Sequence, residues 1–434
     1  MKTNREILRL ALPSIVSNIT VPLLALVDVA IVGHLGAAAY IGAIAVGGTI
    51  FNVVYWVFGF LRMGSSGITS QAWGRRDLAE VAALWVRSLV VALGVAMGLL
   101  LLQRPLLHGA LWLTDPSPQV AALASVYFDI LIWGAPAMLG MFSITGWLIG
   151  VQNTRLPMMV AIVQNVVNIV ASVSLVYGLG LKVEGVAYGT LIAQYSSLLL
   201  ALVLCGRAYG RLWRWLHWPS VWQGARLRQY FTVGRDIFLR TLCLVSVMLF
   251  FTAAGSWQGE VVLAVNTLLM QFSLLFSYVM DGFAYAAEAL GGKYYGAGNL
   301  SALRHTVSRL LRWGWVMAML FTLCYAVGGR SLLMLLTDEP SVVEASVAYW
   351  PWALALPFTG MAAYIWDGVH IGCTATRAML LSMLLSAVAF FSVYGVSIRY
   401  MGNHGLWLAF LLFLSVRSAV LWLCWSKSMQ KHKG

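Results

Sequence analysis

Apolar residues in this chain come in runs of about 20, the length an α-helix needs to cross the hydrocarbon core of a bilayer. Six runs lie near 10–32, 41–66, 84–103, 122–148, 157–177 and 184–206. Six more lie near 233–254, 262–290, 311–336, 342–372, 378–398 and 405–425. Short polar punctuation separates them, so the pattern predicts an all-α polytopic membrane protein with twelve transmembrane helices.

The second six runs repeat the first. GWLIGVQNTR (146–155) answers GVHIGCTATR (368–377), LTDPSPQVAALASVYF (113–128) answers LTDEPSVVEASVAYW (336–350), and WGRRDL (73–78) answers YGAGNL (295–300). A period near 220 is too long for a solenoid, so each copy is a whole lobe. An even number of spans returns the second copy to the same side, which makes the repeats parallel. The predicted organisation is an N-lobe over 1–206, a cytoplasmic linker over 207–232 and a C-lobe over 233–434.

Composition agrees with the pattern: apolar residues are 61%, charged residues 10%, and the mean hydropathy is +0.83, outside the range of water-soluble domains. The net charge of +13 follows from topology. Of 28 lysines and arginines, only Arg104, Lys182, Arg330 and Arg399 fall at segments on the side opposite the N-terminus. That asymmetry predicts cytoplasmic N- and C-termini in a multi-pass protein of a bacterial inner membrane. It removes any need for a nucleic-acid partner, while leaving attraction of the basic rim to anionic lipid as a second use of the same charge. Trp213, Trp215 and Trp218 mark the linker end of a span, where interfacial aromatic belts form. The five cysteines form no CxxC pair and lie near no His cluster, so neither a disulfide framework nor a metal site is expected. No phosphate-binding loop and no large soluble domain is present, which argues against ATP-driven work.

Chemistry is sought where a charge interrupts an apolar run. An Asp at a helix centre costs roughly 2.5–3.5 kcal/mol on insertion scales, so such residues line a cavity, pair, or carry protons. Asp28 in LLALVDVAIVG is the clearest case. Pro13 and Pro22 remove hydrogen bonds from the same helix and permit a bend. In the fifth span Asn165, Asn168 and Ser172 share one face, and Asp129 in the fourth span and Gln194 in the sixth are candidates to join a polar cavity. Asn and Ser also serve as helix-packing groups. In the second lobe Asp281, Tyr285 and Glu288 form one face of the eighth span, and Asp367 lies on the tenth. The repeat sets Arg62 at the depth of these acids, a candidate cytoplasmic gate with Asp281 or Glu288; Arg240 or Lys293 are the alternative partners within the lobe.

The stretches VDVAIVGHLG (27–36), SSGITSQAWG (65–74), GWLIGVQNTR (146–155), VEGVAYGTLIA (183–193) and MDGFAYAAEALGGKYYG (280–296) resemble the multidrug and toxic compound extrusion (MATE) family, in its DinF-type, DNA-damage-inducible branch. The resemblance runs over nearly the whole chain. It implies a twelve-helix, two-lobe antiporter that expels organic, often cationic or amphipathic compounds as H⁺ or Na⁺ flows inward. It assigns the coupling acid to Asp28, the helix bend to Pro13, and supporting roles to Asn168 and Thr190. Relatives with a fuller first-lobe site carry a second acid where this chain has Ser172. A Na⁺ cage is harder to assemble with fewer carboxylates, since cation affinity follows ligand number and charge, so H⁺ is the favoured coupling ion.

The expected partners are small organic substrates and the bilayer, with no cofactor, no resident metal and a monomer as the functional unit. Two alternatives remain beside the H⁺ antiporter: a Na⁺-coupled antiporter, and a lipid-linked oligosaccharide flippase of the same superfamily. The flippase would call for several cavity cations. A membrane-embedded enzyme would need a Ser/His, paired Asp or metal constellation; His34 and His404 lie in loops and His370 stands alone, so catalysis is not expected.

Overall fold

The computed structural model describes residues 2–33, 38–337 and 339–431. His34, in the VDVAIVGHLG motif, lies outside them. The described residues are mostly helical and contain no strand. We number the membrane-length helices α1 (Lys2–Gly33), α2 (Ala38–Val57 and Phe60–Gly74), α3 (Leu78–Leu101), α4 (Pro118–Leu131, then Ala135–Gly150), α5 (Arg155–Val173) and α6 (Val183–Tyr209). The second series is α7 (Gly224–Ser256), α8 (Glu260–Gly296), α9 (Leu300–Leu336), α10 (Pro340–Gly372), α11 (Thr376–Met401) and α12 (Asn403–Lys431).

Among the described residues ten helices are long and apolar enough to cross a membrane, and α1 and α10 complete the expected twelve. The aromatic and proline content of α10, including Pro351 and Pro357, lowers its hydropathy without breaking the helix. Most helices outrun the apolar segments that predicted them, because backbone hydrogen bonding continues past the hydrocarbon into polar sequence. α1 is helical through both Pro13 and Pro22. α4 is interrupted by a 3₁₀ turn at Ile132–Gly134, α5 ends in a π-turn at Ser174–Gly178, and α9 breaks at Gly329, whose φ of 37° suits glycine. The helix Gln103–Thr114 between α3 and α4 was not expected. It exposes Trp112 and Leu113, as an interfacial helix does.

Contacts gather the chain into two units. One is Val16–Phe231; the other is Thr232–Gly434 together with Met1–Ile15. The first half of α1 is held in the latter by close packing: a Cβ at Gly282 of α8 would collide with Ile15, and Tyr294 reaches Glu6 at 3.1 Å. Each unit has its own apolar core. One is built around Phe51, Tyr55, Tyr127 and Phe128, the other around Phe251, Phe390, Trp407 and Phe410.

The sequence repeat is a repeat of contacts. In one unit Gly146 of α4 lies against the Arg62 carbonyl of α2; in the other Gly368 of α10 lies against the Ala284 carbonyl of α8. Gly150 meets the Ser66 carbonyl, and Gly372 meets that of Glu288. Every member of these pairs is displaced by 222 residues. The turns repeat as well: Gln152 and Thr374 both have positive φ, at 65° and 52°. The Asp77 side chain caps α3 through the amide of Glu80, as Asn299 caps α9 through that of Ala302.

Candidate functional site

Asp28 sits on the part of α1 that belongs to the first unit. Val27 and Ile31 beside it pack into the core of that unit with Phe51, Tyr127, Val176 and Val186. Two hydrogen bonds tether this stretch of α1 to α5. Asn165 Nδ2 donates to the carbonyl of Thr20 at 3.2 Å, and the Tyr177 hydroxyl donates to that of Ile31 at 3.0 Å. Asp28 lies between the two tethers, only 7% exposed. Its Oδ1 has no hydrogen-bond partner among the described residues, and Tyr127 is its electrostatic neighbour.

The crossing of α5 and α6 organises the remaining polar groups. Gly189 presses on Ser172 so closely that a Cβ there would collide with its hydroxyl. One turn away, Asn168 Nδ2 donates to Thr190 Oγ1 at 2.9 Å. Asn168 and Ser172 are fully buried, and Asn168 Oδ1 and Ser172 Oγ are left without partners. This unit therefore encloses one unpaired carboxylate together with neutral amide and hydroxyl groups. Among the described residues no three His, Cys, Asp or Glu side chains converge as a metal site would require.

The other expected residues lie in more occupied surroundings. Asp129 forms a surface pair with Arg104 at 3.3 Å. Gln194 is buried where α6 meets the 3₁₀ turn of α4, so tightly that a Cβ at Gly134 would collide with its Oε1. Asp367 is buried and pairs through one oxygen with both Arg240 of α7 and Arg417 of α12. Tyr364, one turn before Asp367, is hydrogen-bonded to Ser277 and lies in the field of Asp281 and both arginines. Of the gate residues, Arg62 is half-buried in one unit; in the other, Asp281 and Tyr285 are half-buried and Glu288 is buried. Trp147 and Trp366 are enclosed, the first donating to the Val81 carbonyl at 2.9 Å and the second packed on Trp425.

Three charged arrangements were not anticipated from the sequence. The first is Arg417, which shares Asp367 with Arg240. Glu80 and Arg87 are a buried ion pair that the half-exposed Arg226 joins through Glu80. Asp236 joins Arg235 and accepts from Thr376 at 3.0 Å, tying α7 to α11. Arginine in an apolar run was the available flag for Arg87 and Arg417; their partners are set by the three-dimensional fold.

Comparison with known proteins places this architecture. The MatE family matches residues 13–173 and 237–394. DNA damage-inducible protein F of Escherichia coli (strain K12) is 36% identical over 98% of this chain and 92% of its own length. The probable multidrug resistance protein NorM of Thermotoga maritima is 24% identical over 79% of this chain and 74% of its own. Crystal structures of a MATE protein superpose in both of its described states. The bent conformation gives a TM-score of 0.88 at 18% identity, covering 100% of this chain and 97% of that one. The straight conformation gives 0.87 at 19%, covering 99% and 97%. The repeated two-unit fold is thus matched by sequence along nearly its whole length, and the chain belongs to the MatE family of multidrug and toxic compound extrusion transporters.

Proposed function

We propose that this protein is a secondary active efflux antiporter, exporting organic, often cationic or amphipathic compounds in exchange for inward H⁺ bound at Asp28. The observation that carries the reading is the buried Asp28 carboxylate with an unpartnered oxygen. An ionised carboxylate in such surroundings costs several kcal/mol unless something neutralises it. A transport cycle can use that cost, because the site must hold a proton or cation whenever it is closed to water. In the proposed cycle Asp28 takes a proton from outside, the packing of α1 changes, and substrate affinity falls. Inward release of the proton restores the substrate-binding state.

Asn165, Asn168, Thr190 and Ser172 support the acid in this reading. Asn165 fixes the backbone of α1 at Thr20, while Asn168 and Ser172 offer unpartnered oxygens within the same unit. With one carboxylate and otherwise neutral groups, the set suits a proton better than a high-affinity Na⁺ cage. The multidrug description of the NorM relative supports the substrate class.

The test is purified protein in liposomes with a fluorescent organic cation, driven by an imposed pH gradient or an imposed Na⁺ gradient. Movement driven by the pH gradient and abolished in Asp28→Asn is the expected result. Movement driven only by Na⁺ would overturn proton coupling. Wild-type transport by Asp28→Asn would remove Asp28 from the mechanism.

A further inference from the structure

Between α6 and α7 the chain forms a built ledge. It consists of a 3₁₀ helix, Gly210–Trp215, and one helical turn, Trp218–Val221. Arg87 of α3, only 2% exposed, holds the turn from within. Its Nε donates to the Val221 carbonyl at 2.9 Å and its Nη2 to that of Ser220 at 2.6 Å. These carbonyls close the turn, where a helix lacks its own donors and a guanidinium is a favourable cap. Arg87 Nη1 donates to Glu80 at 2.9 Å, and Arg226 pairs with the other oxygen of Glu80. Trp85 meets Trp213 edge-on at 4.8 Å. Arg87 thus ties the turn to α3 through two hydrogen bonds from the buried side.

The outer face of the ledge has a different character. Trp213, Trp215, Trp218 and Trp222 are 45%, 53%, 60% and 56% exposed. Arg207, Arg211 and Arg214 are exposed among them. The ledge also continues a lipid-facing surface. On α6 the exposed residues Ile192, Tyr195, Leu199 and Val203 recur at helical spacing up to its start. On α3 a like stripe begins at Val90, one turn beyond Arg87. Large apolar side chains exposed at this spacing on membrane-length helices face hydrocarbon. The ledge therefore stands where hydrocarbon gives way to headgroups, the layer in which tryptophan rings settle.

We propose that this ledge binds anionic phospholipid, with headgroup phosphate oxygens on Arg207, Arg211 and Arg214 and the tryptophan rings in the interfacial layer. Tryptophan alone accounts for interfacial position without lipid selectivity. The arginines add it, because a planar guanidinium fork matches phosphate oxygens and a negative surface attracts clustered basic residues. The Arg87 clamp makes the surface a fixed one, so binding requires little ordering of the ledge.

Native mass spectrometry of the delipidated protein, offered equal phosphatidylglycerol and phosphatidylcholine, tests the assignment. Wild type is expected to retain the anionic lipid several-fold over the zwitterionic one. The variant R207Q/R211Q/R214Q, altered only at exposed side chains, is expected to lose that preference, and lysine at the three positions to restore part of it. Arg87→Met is expected to weaken the preference while leaving the three arginines in place; if that variant fails to fold, the surface triple variant still decides. Soluble glycerol phosphate is expected not to compete, since the tryptophans hold the lipid by its interfacial portion. Equal retention of the two lipids by wild type, or an unchanged preference in the triple variant, would overturn the proposal. A dimer mass abolished by the triple variant would assign the ledge to a second copy of the chain instead.

Discussion

Of the three buried aspartates among the described residues, Asp28 and Asp367 have opposite surroundings, and that difference is expected to separate a transport role from a stability role. Asp367 is shared by Arg240 and Arg417, whereas Asp28 has an oxygen with no partner among the described residues. Asp367→Asn would leave two buried guanidiniums without their common carboxylate, a loss of about 3–5 kcal/mol. Arg417→Gln keeps the pair with Arg240 and is expected to cost less. Asp28→Asn removes no observed partner and replaces a carboxyl with a neutral isostere, so its thermal unfolding in detergent should not fall below that of wild type, while transport is lost. Equal destabilisation by Asp28→Asn and Asp367→Asn would reveal a counter-ion for Asp28. The acids themselves were legible, because a carboxylate in an apolar run is conspicuous. Their partners were not: Arg240 and Arg417 lie 127 and 50 residues from Asp367, and only folding brings those helices together. The same holds for Arg87, whose carbonyl acceptors lie 134 and 133 residues away.

At the scale of elements, the repeated crossings α2 with α4 and α8 with α10 depend on glycine. At Gly146 and Gly368 an added Cβ would meet a backbone carbonyl, which cannot rotate aside. Gly146→Ala and Gly368→Ala are therefore each expected to cost about 1–3 kcal/mol, by similar amounts, through displaced helices. Gly94→Ala and Gly98→Ala on α3, where a Cβ meets nothing within 4 Å, should range from neutral to about 1 kcal/mol stabilising. Unfolding midpoints in detergent for the four variants check both expectations. The spacing of these glycines was readable as a repeated motif, while the helix each one approaches was not. The helix Gln103–Thr114 escaped notice for a related reason: its polar and apolar residues begin where a span ends, and hydropathy alone assigns no boundary there. The first half of α1 likewise carries no sequence mark of its packing against α8, because one apolar run covers both halves.

For the whole molecule, twelve membrane-length helices, an even number, are expected to bring both termini to one side of the membrane, with charge deciding which side. The basic residues concentrate at the termini, at the ledge and in or beside the turns after α2, α4, α8 and α10. With the sparsely charged turns opposite, the termini and ledge are expected to be cytoplasmic. Cysteine labelling in intact cells tests this, after the five native cysteines have been replaced by serine. Asp115→Cys and Glu339→Cys, at exposed positions on the opposite side, should react fully with a membrane-impermeant thiol reagent. Gln223→Cys in the ledge and Lys427→Cys near the end of α12, also exposed, should react only after the cells are opened. Because Asp115 and Glu339 fall in corresponding segments of the two copies, the experiment also tests the parallel repeat. If only one of them were accessible from outside, an odd number of crossings would separate them, and the two copies would be inverted rather than parallel.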